Sequence, residues 1–248
     1  MIWVVSINNP PANTLSRVLL EELGVIASQF ENDDKAGILI LTGTGDRTFS
    51  AGADINEIMT IDSPEKGAAL AKLGQDLCDK IEKMDKPVIA AINALCLGGG
   101  NEIAMSCHIR IAAENAKFGQ PEINIGIIPG FGGTQRLSRL VGVSQARKLI
   151  LTGDTITTQE AFHLGLVDEI VGKGQVIEQS IILAKRILKN STLGIKLSMR
   201  AIREGSDKEM AEGMKAELEC FRKICESEDM KEGLRAFKEK RPPNFKGR

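Results

Sequence analysis

Two aliphatic runs limit what this chain can become. Residues 37–42 read GILILT and residues 88–93 read VIAAIN. Neither alternates apolar with polar, so neither is a strand with one wet face. Both are strand-length and far short of the ~18 residues of a membrane-spanning helix. An unbroken aliphatic strand must be covered on both faces, as in a parallel sheet with helices packed over it. Helical patterns surround these runs: Leu15, Leu19, Leu23, Ile26 and Phe30 fall at helical spacing. Ser63-Pro64 sets a capping side chain before a proline and predicts a helix to about Lys83. Ile2–Asn8, Ile109–Ala113 and Lys117–Gly119 read as further strands, and a short helix is expected after Gly98–Gly100. Strand, helix, strand, helix, strand predicts an α/β fold with stacked sheets.

Beyond about residue 132 the pattern becomes helix upon helix. Thr157-x-x-Glu160 is a capping box opening a short helix, and Val167–Val171 is an isolated strand. Residues 175–239 read as almost wholly helical, broken near Asn190–Thr192, Gly205–Ser206 and Ser227–Asp229. Asp229-x-x-Glu232 resembles a second capping box, and Pro242-Pro243 ends the last helix. The expected division is a core at residues 1–190 and a helical region at 191–248, forming a separate layer or an oligomer contact.

Charge and composition exclude several functions. With 32 basic and 33 acidic residues in 248, the bulk electrostatics do not suit a nucleic-acid binder. Met1–Val5 lacks a basic lead, and Asn8-Asn9-Pro10-Pro11 cuts the apolar stretch short, which reads as strand and turn and not as a signal peptide. No membrane segment is expected. Five cysteines without a C-x-x-C pair fit reduced, buried thiols in a cytoplasmic protein. His108 reads as structural and His163 as a packing residue; two histidines give no basis for a metal site.

Glycine clusters follow the strands: Phe49-Ser50-Ala51-Gly52-Ala53-Asp54, Leu97-Gly98-Gly99-Gly100-Asn101-Glu102, and Gly119-Gln120-Pro121-Glu122 leading to Ile128-Pro129-Gly130-Phe131-Gly132-Gly133. None contains a P-loop. A dinucleotide fingerprint started at Gly98 fails at Ile103. A glycine run before a helix does something else: it presents free N–H groups at the positive helix end and lets a ligand approach the backbone. Such a site stabilises an anion or a developing oxyanion. Gly99 is the natural donor, and Ala53 is the candidate second donor. Taken alone, Glu102 complements the helix dipole and Glu122 is a surface glutamate in a turn. If they converged on one cleft, they would share a water and divide acid and base roles. Spacing alone leaves that open.

Taken together, the runs FSAGADINEI, LGGGNEIAMSC, KFGQPEINIGIIPGFGGTQRL, EAFHLGLVDEIV and EGLRAFKEKRPPNFKGR resemble the crotonase (enoyl-CoA hydratase/isomerase) family, from about Val4 through Gly247. The resemblance implies a spiral of ββα units and a helical C-terminal region that builds homotrimers, commonly stacked as hexamers (dimers of trimers). It implies acyl-CoA thioester substrates with no separate cofactor, CoA being part of the substrate. Glu102 and Glu122 match the paired catalytic glutamates, and the Ala53 and Gly99 amides match the oxyanion hole. Gln120 matches a glutamine beside the second glutamate, and Gly130 the glycine near the catalytic water. Phe237 and Lys240 match residues that reach the adenine end of CoA, often in a neighbouring subunit. Ala51, Asp54, Ile55 and Gly98 complete the expected substrate-binding set, and Ile55, Met59, Leu97, Ile127 and Ile128 are candidates for the acyl pocket. Two positions depart from the pattern: Asn56 stands where many hydratases carry a CoA-binding lysine, and His108 where many relatives carry Asp.

The expected activity is reversible syn hydration of trans-2-enoyl-CoA to 3-hydroxyacyl-CoA. The alternatives are a Δ3,Δ2-enoyl-CoA isomerase, a hydratase for branched or cyclic enoyl groups, and a non-catalytic acyl-CoA binder. Retention of Glu102 favours hydration over isomerisation. An RNA-binding role would want a basic face, which the net charge of −1 does not support.

Overall fold

The structure, a computed structural model, describes residues 1–248. It opens with β1 (Ile2–Ile7) and α1 (Arg17–Asn32), followed by a unit that repeats: a strand in one sheet, a strand in a second sheet, then a helix. The first repeat is β2 (Ile38–Gly43), β3 (Thr48–Ser50), the short α2 (Ile55–Met59) and α3 (Pro64–Glu82). The second is β4 (Val88–Ile92), β5 (Leu95–Leu97) and α4 (Gly99–Ser106). The third is β6 (Ile109–Ala113), β7 (Lys117–Gly119), a 3-10 turn at Pro121–Ile125 and α5 (Gly133–Val141). Then come α6 (Val143–Thr152), β8 (Thr155–Thr157), α7 (Thr158–His163), β9 (Glu169–Val171) and α8 (Val176–Ile187). Three helices close the chain: α9 (Thr192–Gly205), α10 (Met210–Cys225) and α11 (Glu228–Glu239).

The larger sheet runs β1-β2-β4-β6-β9, all parallel, with Leu39 opposite Val88 and Ile89 opposite Ile109. The smaller runs β3-β5-β7-β8, parallel until β8 pairs antiparallel with β7. Each ββα repeat thus adds one strand to each sheet, so the chain climbs as a spiral. The unbroken aliphatic runs now have a cause. Leu39, Leu41, Val88, Ala90 and Ile92 face the main core, while Ile38, Ile40, Ile89 and Ala91 face a second core beneath α8. Alternate residues serve different cores, so every position must be apolar.

Several expectations need correction. The strand expected at Val167–Val171 is shorter, and β9 is not isolated, since it pairs with β6. The three-residue strands β3, β5 and β8 gave no periodic signal. The Thr157 capping box is present as read, but Asp229 does not cap α11. Ser227 does, accepting from the Met230 amide. Asp229, 2% exposed, instead accepts the Ser191 hydroxyl (2.6 Å) and the backbone N–H groups of Lys246 (2.6 Å) and Gly247 (2.9 Å). It ties the chain's last residues to the start of α9. The last helix ends at Glu239, before the prolines, with Lys240 in the left-handed region at φ 54°. Cys78, Cys96, Cys107 and Cys220 are buried thiols, whereas Cys225 is exposed. His163 is exposed at the end of α7 and does not pack, because that helix turns this face to solvent. His108 is structural: its Nδ1 accepts the Val88 amide at 2.9 Å, and burial pushes its pKa down. No helix is long and apolar enough to cross a membrane.

Candidate active site

The glycine clusters lie side by side. Residues 51–54 leave β3, and residues 98–99 leave β5, its neighbour in the smaller sheet. Gly52 has φ 98°, and a β-carbon on it would stand 3.1 Å from the Leu97 carbonyl and 3.4 Å from the Gly99 nitrogen. Contact this close between two backbones excludes a side chain. The segment ahead of α1 clamps the first turn: the Leu15 amide donates to Gly52 O (2.8 Å), Asp54 N to Leu15 O (3.2 Å) and Ala51 N to Ala12 O (3.0 Å). Asn13, left-handed at φ 51°, holds that segment in place by donating to the Thr44 and Thr48 carbonyls. On the other side, Gly98 N donates to Gly119 O at 3.0 Å. The amides left over are those of Ala53 and Gly99, neither of which has a partner within the chain.

Both glutamates reach this place. Glu102 lies in the first turn of α4, every residue of which is buried, and is itself 1% exposed. Its Oε1 accepts the Phe131 amide at 2.8 Å and the Gly133 amide at 2.5 Å. Burial pushes its pKa up to about 7, the charge of Glu122 adds to this, and the two amides pull it back. Glu122 enters from the 3-10 turn. A β-carbon on Gly98, where φ is +50°, would stand 3.0 Å from its Oε1. Its Oε2 is shut off from solvent and has no hydrogen-bond partner. Burial raises the pKa of Glu122 as well. These are two carboxyl groups with raised pKa values beside two unpaired amides. Such a site can bind a polar oxygen, give or take a proton near neutral pH, and stabilise charge forming next to the amides.

A cavity of about 810 Å³ opens over these groups. Ala51, Ala53, Ile55, Gly98, Gly99, Glu102, Glu122, Ile127, Ile128 and Gly130 line it as expected from the sequence. Met59, 79% exposed, and Leu97 do not. Asp54 and Gln120 stand behind the wall. Asp54 caps α2 by accepting Asn56 N at 2.8 Å. Gln120 is fully buried, and with its NH2 toward the carbonyls of Gly119 (2.9 Å) and Gly98 (3.2 Å) it ties β7 to the glycine turn. Phe237, 86% exposed on α11, and its neighbour Lys240 do not line the cavity of their own chain. Ile58, Ile61, Ala68, Leu70, Ala71 and Gln75, from α2, α3 and the link between them, form a wall that sequence reasoning missed.

Two further residues escaped it. The Phe131 ring lies in a slot between α3 and α4, and a β-carbon would come within 2.1 Å of it at Gly74 and 2.8 Å at Gly99. Arg136 is buried in α5 and donates to Phe131 O (3.0 Å), Glu82 Oε2 (2.7 Å) and Asp79 Oδ1 (2.7 Å). A glycine inside a helical pattern was the one available sign of the slot.

Comparison with known proteins gives a single answer. The family model described as enoyl-CoA hydratase/isomerase matches residues 1–248. The short-chain-enoyl-CoA hydratase of Clostridium acetobutylicum is 44% identical over 249 residues, covering 100% of this chain and 95% of that protein. The crotonyl-CoA hydratase of Syntrophomonas wolfei is 44% identical, covering 98% of this chain and 93% of that one. The crystal structure of an enoyl-CoA hydratase from Bacillus anthracis superposes with a TM-score of 0.94 at 40% identity, covering 98% and 96% of the two chains.

Proposed function

The chain belongs to the enoyl-CoA hydratase/isomerase family, and from that premise we propose that it adds water reversibly to trans-2-enoyl-CoA, giving 3-hydroxyacyl-CoA. The Ala53 and Gly99 amides receive the thioester oxygen, where negative charge builds as water attacks Cβ. Losing one such donor typically costs ~10²–10³ in rate. Glu102 and Glu122 hold the water between them. One takes its proton, and Cα receives a proton through Glu122. Acid–base help of this kind contributes roughly 10²–10⁴. Water and enoyl thioester balance to hydroxyacyl thioester without a cofactor. The observation that carries this reading is the convergence of two carboxyl groups of raised pKa with two unpaired amides on one cavity.

In the proposed assembly, three copies form a trimer through the helical region 191–248, singly or as a dimer of trimers. Support comes from the large apolar side chains that α10 leaves exposed, Met210, Met214, Leu218 and Phe221. Phe237 and Lys240 then serve the CoA of a neighbouring subunit, which accords with their absence from the lining of their own cavity. Four buried, unpaired thiols favour a cytoplasmic location.

The test is loss of enoyl-thioester absorbance with crotonyl-CoA, run beside Glu102→Gln and Glu122→Gln. Fast loss in wild type, abolished in both variants, with product one water heavier, is the expected result. Near-normal hydration in both variants would sink the mechanism. An unchanged mass with a moved double bond, from a 3-enoyl thioester, would make the enzyme an isomerase.

A further inference from the structure

We propose that Arg136 is a positioning residue for this reaction: its guanidinium holds the Phe131–Gly133 turn against Glu102 and thereby sets how that carboxylate is aimed and ionised. The proposal rests on the reading of Glu102 as catalytic. The turn does two things at once. Its amides, Phe131 N and Gly133 N, both donate to Glu102 Oε1. Its Gly132, at φ 106°, lies so close to Arg136 Nη1 that a β-carbon would come within 2.2 Å. The turn is held from two sides. From one side the Phe131 ring is seated against Gly74 of α3 and Gly99 of α4. From the other, Nη1 of Arg136 grips the Phe131 carbonyl at 3.0 Å.

The grip is itself anchored. Arg136 Nε and Nη2 donate to Glu82 Oε2 at 3.0 and 2.7 Å, and Nη2 also reaches Asp79 Oδ1 at 2.7 Å. Both acceptors sit in the last turn of α3. The planar fork bonds a backbone carbonyl with one nitrogen and the two carboxylates with the others. A lysine ammonium cannot reproduce that geometry. The chain of contact therefore runs from α3 through Arg136 to the turn and on to Glu102.

The charged and titratable groups facing Glu102 are few. Glu122 faces it from the 3-10 turn and raises its pKa; Arg136 faces it from α5 and lowers it. Cys78 faces it from α3, its thiol kept protonated by burial. Without Arg136 the turn relaxes, and Glu102 loses both aligned donors and the nearest positive charge. All three losses favour the protonated form.

The experiment compares wild type with Arg136→Gln, Arg136→Lys and Glu82→Gln. The carboxyl titration of Glu102 is followed by carbon NMR in the free protein, with Glu102→Gln assigning the signal. Values of kcat and KM for crotonyl-CoA are taken across pH, with thermal midpoints alongside. In Arg136→Gln the titration is expected to move up by about one pH unit. Its kcat is expected to fall about 10²-fold, the size of effect a misplaced catalytic group produces, with KM little changed. Arg136→Lys and Glu82→Gln should lie between, and they keep the test alive if Arg136→Gln fails to fold. An unmoved titration, with kcat falling only as the folded fraction falls, would overturn the proposal and leave Arg136 a packing residue. A titration that moves in a protein whose wild type hydrates no enoyl thioester would uphold the hold on Glu102 and strike the hydratase reading alone.

Discussion

Asp229 at the start of α11 and Glu122 over the cleft each hide carboxylate oxygen from water, in opposite surroundings. Asp229 accepts a hydroxyl and two amides, from segments at 191 and 246–247. The Oε2 of Glu122 accepts nothing. Glu102 stands between them, with one oxygen bound to two amides. A carboxylate whose acceptor capacity is filled by its own chain is committed to holding the fold. One left unfilled carries a desolvation cost that folding does not recover, and it is free to take a ligand's proton or hydrogen bond.

That contrast can be broken by exchange. The largest effect is expected from Glu122→Gln: kcat for crotonyl-CoA hydration falls about 10³-fold, while urea unfolding shows stability unchanged or raised. Stability lost with rate retained would put Glu122 in the class of Asp229. Next comes Asp229→Ala, which leaves one hydroxyl and two part-buried amides without their acceptor. We expect about 3 kcal/mol of stability to be lost in the same urea titration, with kcat of the folded protein changed less than about threefold.

A third effect comes from Glu102 and depends on pH. Its folded pKa, about 7, lies above the ordinary value of 4.5, so the fold favours the protonated form. The stability this gives is fully present below about pH 4.5 and is lost as pH rises through about 7. Wild type should therefore lose roughly 3 kcal/mol relative to Glu102→Gln across that window. Parallel stability curves for the two proteins would remove the claim. The smallest energetic effect is expected from Phe221→Glu on the exposed face of α10, within about 0.5 kcal/mol for the isolated chain. Sedimentation should nonetheless fall from a trimer or hexamer to a single copy. An unchanged sedimenting mass would show that this face is not the contact.

The sequence was readable wherever one residue type answered to one local demand. GILILT and VIAAIN were legible because two cores claim Ile38–Leu41 and Val88–Ile92 alternately, so the polar residues Thr42 and Asn93 stand only at the ends. Gly98 and Gly99 were legible because a strand-to-helix turn that exposes amides needs glycine there. What depended on distant partners was hidden. The burial of Arg136 as an anchor depends on Asp79 and Glu82, 57 and 54 residues earlier. The part Gly74 plays in α3 shows only when the Phe131 ring is laid against it. Asp229 has the spacing of a capping box, yet Ser227 two residues earlier takes the cap and frees Asp229 to reach the chain's end. The strands β3, β5 and β8 are too short for any period to register.

The hydrogen bonds that join Leu15 to Gly52 and Asp54 have a consequence for refolding. The segments that build the cleft lie near residues 12–15, 51–54, 98–102, 120–122 and 131–133, and each is held by another from far along the chain. No stretch shorter than about residues 12–133 contains the site. Parallel pairing must also wait for the intervening crossovers to close, which is a slow step in folding. After dilution from denaturant, helical signal should therefore return first and hydration last, with the catalytic rate reporting the final closure of the spiral.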